Sequence, residues 1–267
     1  MKLIFDIVNT RLKWGIWDGL EFIDTSVLRV VDVTQDSLSQ FFGGFIEKER
    51  EFGVNVQEEQ AEKIESVWVS NVGSDQVLHQ LSDWFGVNAG LSLNTITVTQ
   101  HCGGIENRYK KLDSLGVDRW MAAVGSRKLL AEGDVIIVDA GTAVTVDWLS
   151  SEGRFEGGVI LPGFNLMYDA LLNKTESVKE IYSEKDFPNE EQIIGRLTNE
   201  CVNYGVSFGL IGGIEKIVMQ MQKKINRPAK IVLTGGSARL IHAACSFDSL
   251  ERPNLVLLGA AVASEQV

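Results

Sequence analysis

The sequence predicts an α/β fold built from two similar domains with a shared cleft. Three observations carry this. Val135-Ile-Ile-Val-Asp-Ala-Gly-Thr-Ala-Val-Thr-Val-Asp147 is an apolar run that breaks at Gly141-Thr142 and restarts in alternation, which is strand, turn and strand. A similar opening stands 133 residues earlier, where Asp6-Ile-Val-Asn9-Thr10 also joins two strands across a turn carrying Asp and Thr. Each half then continues as a third strand followed by helix, the pattern of a repeated α/β unit.

In chain order, residues 2–8 read as a buried strand and Leu12, Trp14 and Ile16 alternate in a second. Asp18-Gly19 signals a hairpin into a third strand near Phe22–Val31. Residues 36–50 read as a helix weakened by Gly43-Gly44, and 51–65 as an exposed acidic loop or helix. Val67–Asn71 is a strand, Gly73-Ser74-Asp75 caps the next helix, and Thr95–Val98 is another strand. Residues 99–115 read as a long irregular polar loop leading to an apolar helix that ends near Ala131. After the central hairpin, Arg154–Leu161 is a strand, Pro162-Gly163 breaks it, and Phe164–Leu172 is a short helix. Residues 173–190 are a polar excursion, and Asn199–Met221 a long helix whose glycines at 205, 209, 212 and 213 signal close packing. Lys230–Thr234 is a strand ending in Gly235-Gly236, and the chain closes from Leu255 as a short strand and helix.

With 267 residues, 45% hydrophobic and 23% charged, the chain has the composition of a globular protein of one or two domains. The net charge of -11 argues against nucleic acid or an anionic membrane as partner. An anionic substrate therefore needs a local positive pocket or a metal. Three widely spaced cysteines without a CxxC fit a reducing cytoplasm. The first acid, Asp6, comes too early for a signal peptide, and no apolar run is long enough to span a membrane.

The chemistry sits at the turns. A carboxylate, a glycine and a hydroxyl at a strand end suit a nucleotide phosphate with its cation. Alone, the same residues make an ordinary hairpin. Thr234-Gly235-Gly236 offers a further backbone approach for a nucleotide, or a plain strand-to-helix turn. Asp118 is placed to orient and deprotonate a hydroxyl, or to be an acid favoured by a helix N-terminus. Arg119 suits a substrate carboxylate or an ion pair, and Trp120 reads as core. Lys13 reads as a solvated edge-strand lysine, and the three histidines have no assigned role.

Together the motifs resemble the acetate and sugar kinase/Hsp70/actin superfamily, and within it the type III pantothenate kinases. The family's Asp-x-Gly-Asn-Thr appears as Asp6-Ile7-Val8-Asn9-Thr10, and Leu-Gly-x-Asp-Arg-Trp is intact at Leu115–Trp120. Tyr109, Asp139 through Thr145, Gly157 through Gly163, and Thr234-Gly235-Gly236 also match. The resemblance implies two ribonuclease H-like (actin-like ATPase) domains, at 1–115 and 116–267, the second carrying dimerisation helices. It implies ATP-dependent phosphorylation of pantothenate to 4′-phosphopantothenate, the first step of coenzyme A biosynthesis, by a homodimer using Mg²⁺ and a monovalent cation, K⁺ or NH₄⁺. By position it makes Asp118 the general base and places Tyr109, Gly116, Val117 and Arg119 at pantothenate. Thr198 reaches that site from the second subunit. ATP falls to Asp6, Ile7, Val8, Asn9, Thr10, Arg11, Thr142 and Gly235, with Asp6 on Mg²⁺ directly or through water and Asp139 on the monovalent cation.

Val8 departs from the pattern, since the family has glycine there. A β-branched residue is poorly suited to φ > 0, so either the backbone stays in the β region or phosphate approach is impaired. This motivates an alternative: a weak or non-catalytic regulatory protein on the same fold. A kinase of a sugar or acetate is a third reading, against which the Leu-Gly-x-Asp-Arg-Trp segment argues. Leu112 stands where proline is common, and residues 173–178 match the family only loosely.

Overall fold

A computed structural model describes residues 1–51, 64–172 and 193–266. The expected acidic loop at 51–65 and the polar excursion at 173–190, with the loose match at 173–178, fall almost wholly outside the described residues. Contacts divide the chain into two compact units. One comprises Met1–Gly103, Lys111–Lys128 and the chain from Val256 onward; the other comprises Gly104–Lys110 and Leu129–Leu255.

In the first unit, β1 (Lys2–Ile7), β2 (Arg11–Trp17) and β3 (Phe22–Arg29) form an antiparallel meander. Helix α1 (Gln35–Glu51) leads to β4 (Ser66–Asn71), and α2 (Asp75–Ala89) to β5 (Leu93–Thr95). The sheet order is β3-β2-β1-β4-β5, with β4 parallel to β1 and β5 parallel to β4. Strand β1 is apolar on both faces from Leu3 to Phe5 because it is interior and buried, with the carboxylate of Asp6 breaking the run near its end. One face, Leu3, Phe5 and Ile7 with Val67 and Val69, packs on Phe42 of α1 and Trp84 and Phe85 of α2. Phe5 meets the Phe42 ring edge-on at 5.6 Å between centroids. Cutting Phe42, wholly buried, to alanine would cost about 3–5 kcal/mol. Ser74 caps α2 by accepting from the Val77 N–H at 3.3 Å, and Gly90 ends it in the left-handed region.

Three readings change here. Strand β5 lies at Leu93–Thr95, starting two residues and ending three residues before the expected strand. The 99–115 stretch is not wholly irregular: β6 (His101–Cys102) and β7 (Ile105–Asn107) flank Gly103-Gly104, both at positive φ. Lys13 is not on an edge, because β2 lies between β3 and β1 and places Lys13 in register with Asp6. After a 3-10 turn at Leu112–Ser114 comes α3 (Val117–Leu129).

The second unit repeats the plan. Strands β8 (Asp134–Ala140), β9 (Ala143–Leu149) and β10 (Arg154–Pro162) form a second antiparallel meander. Helices α4 (Phe164–Leu172) and α5 (Thr198–Ile225) precede β11 (Ala229–Thr234), α6 (Ala238–Ala244) and β12 (Leu250–Glu251). The order β10-β9-β8-β11-β12 copies the first sheet strand for strand, with the same parallel and antiparallel pairs; β7 extends the sheet beyond β10. Ile136, Val138, Val144, Val146, Ile231 and Leu233 pack on α4, α5 and α6. Asp134, buried at the start of β8, is pushed up by burial, but Arg227 and the Trp148 indole N–H outweigh this and hold it below the ordinary range. Among the described residues the α5 glycines are not closely packed: a Cβ on Gly205 or Gly212 would meet nothing within 4 Å, and one on Gly209 or Gly213 would make only ordinary contacts.

The last segment is wholly helical, α7 (Leu255–Ser264), not strand and helix. It belongs with the first unit from Val256 on: the Lys2 ammonium donates to the Ser264 carbonyl at 2.6 Å and the Trp17 indole to Glu265 at 2.8 Å. Gly259 lies against the Met121 backbone of α3. The contacts thus place residues 117–128 and the last helix with the first sheet, whereas the sequence reading divides the chain at 115/116.

Candidate active site

In the first hairpin Asp6 is 1% exposed near the end of β1, while Asn9, Thr10 and Arg11 are exposed at the turn. The Val8 N–H donates to the Arg11 carbonyl at 3.0 Å, and the Val30 N–H to the Thr10 carbonyl at 3.0 Å. Among the described residues the only non-glycine at positive φ is Asn226, so Val8 sits in an ordinary conformation. Of the two outcomes the sequence leaves open at Val8, the backbone takes the one that avoids positive φ. Its counterpart Gly141 does not use positive φ either, and a Cβ there would be 3.5 Å from its nearest neighbour.

Each hairpin is backed by a glycine from the strand-to-helix loop beside it. A Cβ on Gly73 would lie 2.5 Å from the Val8 carbonyl carbon and 2.9 Å from the Asn9 nitrogen. That loop is held by the Asn71 side chain, which accepts from the Gly73 N–H at 2.9 Å, and by the Val72 N–H donating to the Ile7 carbonyl at 3.0 Å. In the second unit Gly235, at φ +92, brings its loop against Ala140, where a Cβ would be 2.5 Å from the carbonyl and from Asp139 Oδ1. The Ser237 N–H donates to the Ala140 carbonyl, and the Gly163 N–H to the Thr142 carbonyl, both at 3.0 Å. Asp139 and Thr142 are half-buried between these supports.

The register repeats as well. Asp6 stands opposite Ser70 on β4, and Asp139 opposite Thr234 on β11. Both hydroxyl residues are 0% exposed. Thr234 Oγ1 donates to the Pro253 carbonyl at 3.5 Å, whereas Ser70 Oγ has no hydrogen-bond partner among the described residues. An unsatisfied buried hydroxyl costs about 1–3 kcal/mol. Sequence reasoning missed Ser70 and the support from Gly73; aligning the fourth strands of the two halves would have exposed both.

Around α3, the Asp118 carboxylate folds back over Gly116, where a Cβ would be 2.4 Å from Oδ1. The Arg119 N–H donates to Oδ1 at 2.8 Å. Burial pushes the Asp118 carboxyl above the ordinary carboxylate range, against the pull of the Arg119 N–H and guanidinium. Val117 and Arg119 are buried, and Trp120 is wholly buried core, as expected. Tyr109, in the second unit, is half-buried; its ring stacks on Phe155 at 6.1 Å and its N–H donates to the Asn107 side chain at 2.9 Å. Thr198 is exposed at the start of α5. It lines an apolar hollow of about 540 Å³ with Pro162, Leu166, Met167, Leu171 and Val202, a group that includes none of the hairpin residues.

The structure thus brings together Asp6, Ile7, Val8, Asn9, Thr10 and Arg11 in one hairpin, and Asp139, Thr142 and Gly235 at another. Gly116, Val117, Asp118 and Arg119 form a third group, and Tyr109 and Thr198 stand in separate places within their unit. For a divalent cation the donors beside Asp6 fit: one carboxylate and one buried hydroxyl, both hard oxygen groups. Among the described residues no three His, Cys, Asp or Glu groups converge as a cage. Phosphate and water would therefore complete any cation's shell.

The family model described as type III pantothenate kinase matches residues 2–220. The type III pantothenate kinase of Nitrosococcus oceani is 30% identical over 266 residues, covering 98% of this chain and 92% of that protein. That of Desulfosudis oleivorans is 35% identical over 266 residues, covering 97% and 96%. Among solved structures, a putative Baf family transcriptional activator from Campylobacter jejuni superposes with TM-score 0.52 at 18% identity, over 99% of this chain and 98% of that one. The activator of the 2-hydroxyisocaproyl-CoA dehydratase from Clostridium difficile, solved with bound ADPNP, gives 0.51 at 14% identity, over 99% and 94%. These two likenesses concern the fold alone, a mixed α/β fold with two sheets. The model covers residues 2–220 and the relatives nearly the whole length, and the chain belongs to the type III pantothenate kinases, which phosphorylate pantothenate in coenzyme A biosynthesis.

Proposed function

We propose that the chain transfers the γ-phosphoryl group of ATP to the primary hydroxyl of pantothenate with Asp118 as general base. The observation that carries this is the Asp118 carboxylate, held over Gly116 and raised by burial towards the pH at which it must accept a proton. The hydroxyl oxygen bonds to the γ-phosphorus, the bond from that phosphorus to the bridging oxygen breaks, ADP leaves, and the hydroxyl proton passes to Asp118. Phosphoryl transfer asks the protein mainly for positioning and charge stabilisation.

In this reading each unit is an actin-like ATPase domain, and both hairpins serve one nucleotide. Asn9, Thr10, Arg11 and Thr142 donate to phosphate oxygens, Ile7 and Val8 shape the first turn, and Gly235 admits the nucleotide to the backbone. Asp6 holds Mg²⁺, directly or through water, and Asp139 holds the monovalent cation, K⁺ or NH₄⁺; bound there, the cations supply charge neutralisation at the phosphates. Arg119 pairs with the pantothenate carboxylate, and Tyr109, Gly116 and Val117 line its site.

The active form is a homodimer joined through α4 and α5, with Thr198 serving the partner's pantothenate site. Leu166, Leu171, Ile193, Ile194 and Leu197 are exposed apolar residues on or just before these helices. The loosely packed glycines at 205, 209 and 212 recur along one face of α5, where an opposing helix can approach closely. The acidic chain works in the cytoplasm, without nucleic-acid or membrane partners.

A coupled ADP-release assay with ATP, Mg²⁺, K⁺ or NH₄⁺ and pantothenate tests the reading. Turnover that depends on pantothenate, and that is lost in Asp118→Asn while pantothenate still binds, is expected. Folded dimer without pantothenate-dependent turnover would sink it. The regulatory alternative rested on Val8, whose backbone avoids positive φ and so gives that reading no support.

A further inference from the structure

We infer that Ser70 is a further binding residue, holding together with Asp6 the hydrated divalent cation of the nucleotide; this rests on the nucleotide reading above. Ser70 and Asp6 are register partners on parallel strands, so their side chains leave the sheet on the same face. That face is opposite the one on which Leu3, Phe5, Ile7, Val67 and Val69 build the aromatic core. The hydroxyl is 0% exposed and meets no hydrogen-bond partner among the described residues. Its strand neighbours Val67, Trp68 and Val69 show that β4 readily takes apolar residues. An alanine would satisfy the fold better than a hydroxyl left without a partner.

The second unit supplies the comparison. Thr234 occupies the same place as Ser70: on the strand that runs parallel to the hairpin's first strand, opposite the carboxylate, and just before the glycine loop that backs the turn. Thr234 spends its hydroxyl proton on the Pro253 carbonyl. Ser70 has no such acceptor among the described residues, so its donor and acceptor capacity stays available beside a carboxylate. Phosphate oxygens are repelled by that carboxylate, whereas water bound to a divalent cation donates to both groups. The pair therefore favours the hydrated cation over direct phosphate contact.

The test is calorimetric titration of ADP into wild type and Ser70→Ala, once with excess Mg²⁺ and once with EDTA, with the thermal midpoint of each ligand-free protein. Losing one hydrogen bond to cation-bound water should weaken binding about tenfold in Mg²⁺ and less than about twofold in EDTA. The ligand-free midpoint should hold or rise, since alanine removes an unsatisfied group. Unchanged affinity in Mg²⁺, or a loss of the same size in EDTA, overturns the role of Ser70. If wild type itself does not bind ADP with Mg²⁺, the nucleotide reading fails and this inference fails with it.

Discussion

At Asp118 the burial that prepares the carboxylate for proton transfer also costs the folded state energy. Its native pKa lies above the ordinary 3.8, so between the two values the native protein keeps a proton that the unfolded chain has lost. Its contribution to stability is full below 3.8 and falls as pH rises through the native value. Asp118→Asn should therefore raise the thermal midpoint at neutral pH, with the gain vanishing in acid below 3.8, while kcat drops by about 10²–10⁴. A midpoint series against pH, alongside the turnover assay, checks both halves. Val8 makes the opposite kind of prediction. Since its backbone is ordinary, Val8→Gly should leave the KM for ATP within about twofold and cost up to about 1 kcal/mol through chain entropy. A large fall in KM would show that the side chain obstructs the phosphates after all.

Among the elements, the two glycine loops carry the sharpest contrast. Gly73→Ala drives a methyl group into the Val8–Asn9 backbone, so it should destabilise by about 1–3 kcal/mol and raise the KM for ATP more than that for pantothenate. Gly44→Ala, in α1 with nothing within 4 Å, should stabilise by about 0.5–1 kcal/mol and leave both KM values alone. Denaturant unfolding and steady-state kinetics on the pair separate the two effects. Much of this was legible in the sequence because period and punctuation are local. The meanders at β1–β3 and β8–β10, the Ser74 cap and α4 follow from alternation, turn residues and a proline break. Leu255–Ser264 was misread in part because a short apolar run without polar punctuation has no period to distinguish strand from helix. Thr95–Val98 was displaced because β5 pairs with only three residues of β4, too few for alternation to show. Within the site, Asp6, Asp118, Asp139 and Thr142 stood out by motif, but Ser70 did not. A serine in a strand carries no signal until the register reveals what stands opposite.

For the whole molecule, assembly is the property most exposed to test. Leu166, 43% exposed at the apolar hollow, should be covered in the homodimer. Leu166→Glu would bury a charge there, so it should yield monomer in sedimentation and raise the KM for pantothenate through loss of the partner's Thr198. The ADP affinity should be unchanged, because the nucleotide groups lie elsewhere; a dimer that persists in this variant would move the interface off α4 and α5. Closure of the single chain also joins residues far apart in sequence, as the bond between Lys2 and Ser264 shows. The unit that opens the chain receives its last helix only when residues 256–264 are made, whereas the other unit is complete at Leu255. Until those residues fold, the first-encoded unit lacks the Lys2–Ser264 and Trp17–Glu265 bonds that hold its last helix. A stop at Leu255 would leave every strand in place, yet it would strand the Asp6 hairpin in a unit without its closing helix.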